Sequence, residues 1–155
     1  METIVTSGPL AESLSLRVIS GEDAAAVAEL SAQLGYEATA AEVRERIDAL
    51  LSNSEQMALI ACVGVEVVGW IEASVVHRLQ YPAHALIGGL VVRDSVRGLG
   101  VGKRLCAEVE VWSRQKGLTL VRVTSRTTRE DAHRFYLREG YRQTKLSAVF
   151  EKVLS

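Results

Sequence analysis

Apolar residues along this chain recur with two different periods. Residues 14–19 (LSLRVI) form a short apolar-rich run of strand type, followed by Ser20 and Asp23 in a capping-box spacing. Val27, Leu30 and Leu34 then fall at i, i+3 and i+7, one face of a helix that Gly35 stops. Thr39 and Glu42 repeat the capping pattern, and Val43, Ile47, Leu50 and Leu51 mark the face of a second helix. QMALIACV (56–63) and EVVGWIEASVVHRL (66–79) are strand-type runs on either side of a turn at Gly64, which predicts a hairpin. QYPAH interrupts the pattern before ALIGGLVV (85–92). Two glycines inside this last strand mark a bulge or a close backbone approach, at a position the sequence alone does not fix.

Val101, Leu105, Val109 and Trp112 share a face of a helix predicted over 101–116, with Gly117 at its end. LTLVRVTSR (118–126) predicts a strand. Thr128 and Asp131 give a third capping pattern, opening a helix with Ala132, Phe135 and Tyr136 on one side and Gly140 as its stop. LSAVFEKVL (146–154) predicts a closing strand. The order is β-αα-βββ-α-β-α-β, without repeats or low-complexity tracts, which predicts one α/β domain with a mixed central sheet. ALIGGLVV, the helix after it and LTLVRVTSR form a βαβ unit, so those two strands should be parallel. Residues 1–13 read as a flexible polar tail and 14–155 as the domain.

Composition narrows the function classes. The 155 residues are 48% apolar and 24% charged, with a net charge of −1. No global charge draws the chain to nucleic acid or to an acidic membrane, so a basic site must be local. No apolar run is long enough to span a bilayer, and the start has neither a basic nor an apolar signal region. Cys62 and Cys106 lack metal-ligand spacing and read as buried thiols of a cytoplasmic protein. No metal is expected.

The segment RGLGVGK, Arg97 to Lys103, joins the glycine-containing strand to the 101–116 helix. A glycine-rich turn into a helix N-terminus is an anion site, because unpaired N–H groups and the helix dipole both favour negative charge. Spacing restricts the ligand. A phosphate-binding P-loop needs four residues between its first glycine and Gly-Lys-Ser/Thr; here three separate Gly98 from Gly102, and Arg104 occupies the hydroxyl position. The dinucleotide fingerprint would need glycine at Lys103 or Leu105. The spacing present is Arg97-x-x-Gly100-x-Gly102, and AHRFYLREGY (132–141) lies about thirty residues downstream. These two motifs, in this order and context, resemble the coenzyme A pyrophosphate loop and the A-x-x-F-Y-x-x-x-G-F/Y motif of the GNAT family of N-acetyltransferases. The resemblance covers residues 56–154 well and residues 14–53 by element order only.

The resemblance implies a GNAT-like fold with a splayed, bulged strand before the glycine loop. It also implies direct acetyl transfer from acetyl-CoA to a primary amine of a small molecule or peptide, with acetyl-CoA as co-substrate. Arg97, Gly98, Leu99, Gly100, Val101, Gly102 and Lys103 would cradle its phosphates, and the backbone of Leu90, Val91 and Val92 would bond its pantetheine arm. Lys103 and Arg104 are unfavourable to the helix start they occupy, a cost that an anionic ligand offsets; Arg93 is a further candidate. Arg129 stands where the family often has asparagine, and either meets a phosphate or is solvated. Tyr136 would reprotonate the departing thiolate, His133 beside it reads as solvated, and Tyr36 would line the acceptor site. Many members carry a glutamate on the strand that here reads ALIGGLVV, so the base candidates are Glu72, His77 and His84 on or near adjacent strands; Trp70 and Trp112 read as packing. A weaker resemblance joins the C-terminal half to aminoalkylphosphonate N-acetyltransferases. Dimers are common in the family, which makes a homodimer an expectation without a nameable interface. Two other readings stand beside the enzyme: a catalytically silent acyl-CoA sensor, and a nucleic-acid module, which the charge balance and the absence of a recognised motif disfavour.

Overall fold

In the computed structural model, which describes residues 13–126 and 128–155, five strands lie side by side in chain order. They are β1 (Leu14–Val18), β2 (Gln56–Val63), β3 (Glu66–Val76), β4 (His84–Val92) and β5 (Val121–Val123). The first four are antiparallel, and β5 runs parallel to β4, giving the mixed sheet and the βαβ unit that the pattern predicts. Except for Ser13, the tail assigned to residues 1–13 lies outside the described residues. The described residues divide into two compact units, one ending at Val123 and the other beginning at Thr124.

In the first unit, α1 (Ala24–Ser31) and α2 (Ala40–Leu51) cover one face of the sheet. Val27, Val43 and Ile47 from these helices bury against Ala58, Ile60 and Cys62 of β2, with Trp70 of β3 packed at the margin. The other face carries α3 (Val101–Gln115), where a side chain added at Gly69 would meet Val101 and Leu105. Strand alternation therefore turns Ile71 and Ala73 toward α3, and Trp70 and Glu72 toward α1 and α2. Leu105 and Val109 are fully buried, and truncating Leu105 to alanine would cost about 2–5 kcal/mol.

Local signals fix the helix starts. The Ser20 N–H donates to Asp23 Oδ2 at 2.8 Å, and the Thr39 N–H donates to Glu42 Oε1 at 2.8 Å while Glu42 N–H returns a bond to Thr39 Oγ1 at 3.1 Å. Asp23 is buried and held by a two-pronged pair with Arg17, at 2.7 and 2.8 Å. This guanidinium, with the Ser20 N–H, keeps the Asp23 carboxyl below the usual carboxylate range. Cys62 and Cys106 are buried and form no disulfide. Among the described residues, no helix is long and apolar enough to cross a membrane.

The second unit carries α4 (Glu130–Arg138). The capping box expected from Thr128 and Asp131 does not form: Arg129 is the N-cap, and the Asp131 carboxylate is taken by Arg134 one turn on. Glu130 and Asp131 still complement the dipole of that first turn. The strand expected over LSAVFEKVL is also absent, since no strand occupies residues 146–154, and Val149, Phe150, Val153 and Leu154 are exposed. Alternating apolar residues make a strand only where a ladder partner exists, and this segment pairs with no strand among the described residues.

Candidate functional site

The two glycines of β4 mark a bulge. Glu72 of β3 pairs with Gly89 and Ala73 pairs with Ile87, so Gly88 is an extra residue in the ladder. The parallel pairing of β4 with β5 ends at the same point, with Ile87 opposite Val123 as its last pair. Beyond it β4 runs on for five residues, 88–92, with β3 on one side only. The Arg93 N–H bonds the Val68 carbonyl at 2.7 Å. Antiparallel alternation then turns Val91 toward β3, and turns the N–H and C=O groups of Leu90 and Val92 away from it, to the side β5 has left. The Val92 carbonyl accepts there from Gln33 Nε2 at 3.1 Å and Arg97 Nε at 3.4 Å. Gln33 Oε1 in turn accepts from the Asp94 N–H at 3.3 Å, so a carboxamide already sits against this edge as a peptide would.

Side chains from β3 lie over the bulge. A Cβ placed on Gly88 would overlap Glu72 Oε1 and stand 2.9 Å from its Cδ; one placed on Gly89 would stand 2.6 Å from Trp70 Cη2. Glu72 is half-buried and makes no hydrogen bond or ion pair with any described residue. Burial alone pushes its carboxyl above the ordinary glutamate range. The buried Trp70 indole N–H likewise finds no partner among the described residues.

A turn leads from β4 into α3. Gly98 and Gly100 have φ of 82° and 90°, left-handed conformations that glycine adopts without strain, and a side chain on either would enter open space. Gly100 is the N-cap of α3; no side chain caps this end and its first turn holds no acidic residue. Its donors are the chemistry that an anion needs. The peptide-accepting edge, the uncapped helix end and the open loop between them together fit an elongated ligand with amide groups and phosphates.

The predicted cations distribute unevenly around this loop. Arg97 is half-exposed at the turn and pairs with Asp94 at 3.1 Å. Arg93 departs from its candidacy: it is engaged by Glu29 at 3.3 Å and Glu66 at 3.5 Å and donates to the Val67 carbonyl. Arg104 donates to the Leu14 carbonyl at 3.3 Å, which anchors it to β1 rather than to the loop. The base candidates are not brought together. Glu72 lies at the bulge. Exposed His77 pairs with Glu55 at 3.0 Å beyond the end of β3. His84 is buried at the start of β4, with Nδ1 3.2 Å from the Pro82 carbonyl and about 13 Å along the strand from Gly88. Tyr36 is exposed between α1 and α2. In the second unit, Tyr136 packs edge-on against Phe135 and Tyr141, Arg129 caps α4, and His133, expected to be solvated, meets the Arg126 carbonyl at 2.8 Å. Gln33 carries no local sequence signal; the two β4 glycines signal an irregular strand, but that Gly88 lies beneath Glu72 depends on which strands become neighbours.

The model of the acetyltransferase (GNAT) family matches residues 24–141. The chain belongs to this family. A GNAT relative, the aminoalkylphosphonate N-acetyltransferase of Salmonella typhimurium, is 40% identical over 84 residues, a match spanning 51% of this chain and 52% of that protein. Against this relative the chain thus spans about half the length. An aminoglycoside N(6′)-acetyltransferase of Stenotrophomonas maltophilia is 27% identical over 150 residues, covering 94% of this chain and 97% of that protein. Among solved structures, an aminoglycoside N-acetyltransferase in complex with CoA superimposes with a TM-score of 0.80 at 19% identity, covering 90% of this chain and 94% of that one. The last is a likeness of fold, and it places the bulged, splayed sheet within the GNAT architecture.

Proposed function

We propose that this chain is an acetyl-CoA-dependent N-acetyltransferase whose acceptor is the primary amine of a cationic small molecule, with Glu72 as the general base. The observation that carries the reading is the Glu72 carboxyl, half-buried and without a partner among the described residues, at the bulge where β4 leaves β5. A carboxylate in this state favours a cation, and a primary ammonium is one that must also lose a proton before it can attack. Burial raises the proton affinity of this carboxyl, which makes its ionised form a better proton acceptor than an ordinary glutamate.

Bound acetyl-CoA supplies the acyl thioester. The N–H groups from Gly98 to Lys103 would hold its phosphates, aided by Arg97 and Lys103, and the outward groups of Leu90 and Val92 its amide-bearing arm. Glu72 takes a proton from the acceptor ammonium. An N–H of the 90–92 segment donates to the oxygen that gains charge as the amine adds. The family resemblance assigns the return of a proton to the thiolate to the Tyr136 hydroxyl. No described cation pairs with Glu72, which favours an aminoglycoside-like or polyamine-like acceptor over an aminoalkylphosphonate, whose anionic group would lie within a few bonds of the amine. Relatives named for both acceptors are among those matched.

The test is thiol release from acetyl-CoA across aminoglycosides, polyamines, aminoalkylphosphonates, amino acids and peptide N-termini. Turnover of a polycationic amine with the highest kcat/KM is expected. Turnover of aminoalkylphosphonates alone would overturn the acceptor reading, and coenzyme A binding without turnover of any amine would make the chain a sensor.

A further inference from the structure

Gly88 has a backbone conformation that any residue adopts, so conformational freedom does not account for the glycine. Space does. A Cβ at this position would overlap Glu72 Oε1, with Cδ at 2.9 Å and Oε2 at 3.4 Å. The bulge turns consecutive positions toward the same face, because Gly88 lies under Glu72 and Gly89 under Trp70. Glu72 thus reaches across from β3 and sets its carboxyl on the backbone of β4, at the residue where the β5 ladder has just ended.

We propose that Gly88 is a positioning residue: its missing side chain is the seat that holds the Glu72 carboxyl across β4 at the splayed edge, so that a carboxylate can be delivered to this place from either strand. This rests on the assignment of Glu72 as base. It follows that a short acid on position 88, whose carboxyl carbon lies about 1.5 Å beyond the Cβ, would put a carboxylate in the volume that Glu72 occupies. The obstruction created by a methyl at 88 is the far end of a flexible side chain, so the fold should accept the methyl while the carboxyl moves. Gly89 differs, because its obstruction is the rigid Trp70 ring.

The experiment compares Gly88→Ala, Glu72→Ala, the double variant Glu72→Ala/Gly88→Ala and the swap Glu72→Ala/Gly88→Asp. The readouts are thermal unfolding, CoA affinity, the 13C titration of the Glu72 carboxyl, and kcat and KM for thiol release with kanamycin, or with the best amine of the panel if kanamycin is inert. Gly88→Ala is expected to fold and bind CoA normally, to lower kcat roughly 10- to 100-fold through misplacement of the base, and to return the Glu72 titration toward the ordinary glutamate range. In the Glu72→Ala background the same methyl should change kcat by no more than about twofold, since the two positions act as one unit. The swap should recover at least about tenfold of the activity that Glu72→Ala loses, a part of the 10²- to 10⁴-fold a general base supplies. If Gly88→Ala unfolds and Glu72→Ala restores folding, the same overlap has been read by another route. An unchanged Glu72 titration in Gly88→Ala, or an equal loss of kcat in both backgrounds, would overturn the seat. Wild-type kcat/KM in Glu72→Ala would instead refute the base assignment, and the carboxyl titration would still decide the seat.

Discussion

The carboxyl of Glu72 on β3 lies against the backbone of Gly88 on β4, in the volume a side chain at 88 would fill. Burial without a partner among the described residues raises its proton affinity, so the folded protein gives up stability when Glu72 ionises. Below the ordinary glutamate pKa both folded and unfolded chains are protonated and the cost is absent; it grows as pH rises toward the elevated folded value. Glu72→Gln should therefore be more stable than the wild type at pH 7, by on the order of 0.5–2 kcal/mol, and equal to it near pH 3. Thermal unfolding at the two pH values measures this. A destabilised Glu72→Gln at pH 7 would mean that the carboxylate is held by something it attracts.

Gly100 begins α3 in a left-handed conformation with open space above it. Gly100→Glu should lose about 1–2 kcal/mol of stability to strain, and should weaken CoA binding at least about tenfold by placing bulk and negative charge over the helix end. Calorimetric titration with CoA on the folded variant gives both numbers. Undiminished affinity would remove the loop from the coenzyme site.

The Arg17–Asp23 pair joins β1 to the start of the first helical segment, with Asp23 buried. Asp23→Asn should cost about 1.5–3 kcal/mol, the range for a hydrogen bond to a charged group. Because the folded pKa of Asp23 is depressed, its contribution is present above the ordinary aspartate pKa and lost as pH falls below about 4. The stability gap between wild type and variant should thus narrow on acidification, as unfolding at pH 7 and pH 3 would show.

How much of this was legible in the sequence depends on the range of the cause. Ser20 with Asp23, and Thr39 with Glu42, announced helix starts because a cap is settled within four residues. Thr128 with Asp131 has the same spacing but no box, since Arg134 competes for the carboxylate. Gly88 and Gly89 marked an irregular strand, yet the bulge could not be placed without the register to β3. On its C-terminal side β5 stops at Val123, where its pairing with β4 ends at the bulge. Glu72 stood among three candidates by residue type; only the fold separates it from His77 and His84. The cations Arg93 and Arg104 looked available until their acceptors, Glu29, Glu66 and the Leu14 carbonyl, were brought in from distant segments.

Tyr136 in α4 is the proposed proton donor to the leaving thiolate. Tyr136→Phe keeps the ring contacts to Phe135 and Tyr141 and removes only the hydroxyl. Its kcat should fall about 100-fold with KM for acetyl-CoA unchanged. Full activity in this variant would assign the proton to another group.

Glu72 is the proposed base that deprotonates the acceptor amine, and the pH dependence of kcat/KM for thiol release reports on that step. In the wild type the acidic limb should fall at a pKa above the ordinary glutamate value, in the direction that burial pushes Glu72. In Glu72→Gln, kcat/KM should drop at least about 100-fold and the limb should vanish. A limb of the same position and height in both proteins would contradict the account.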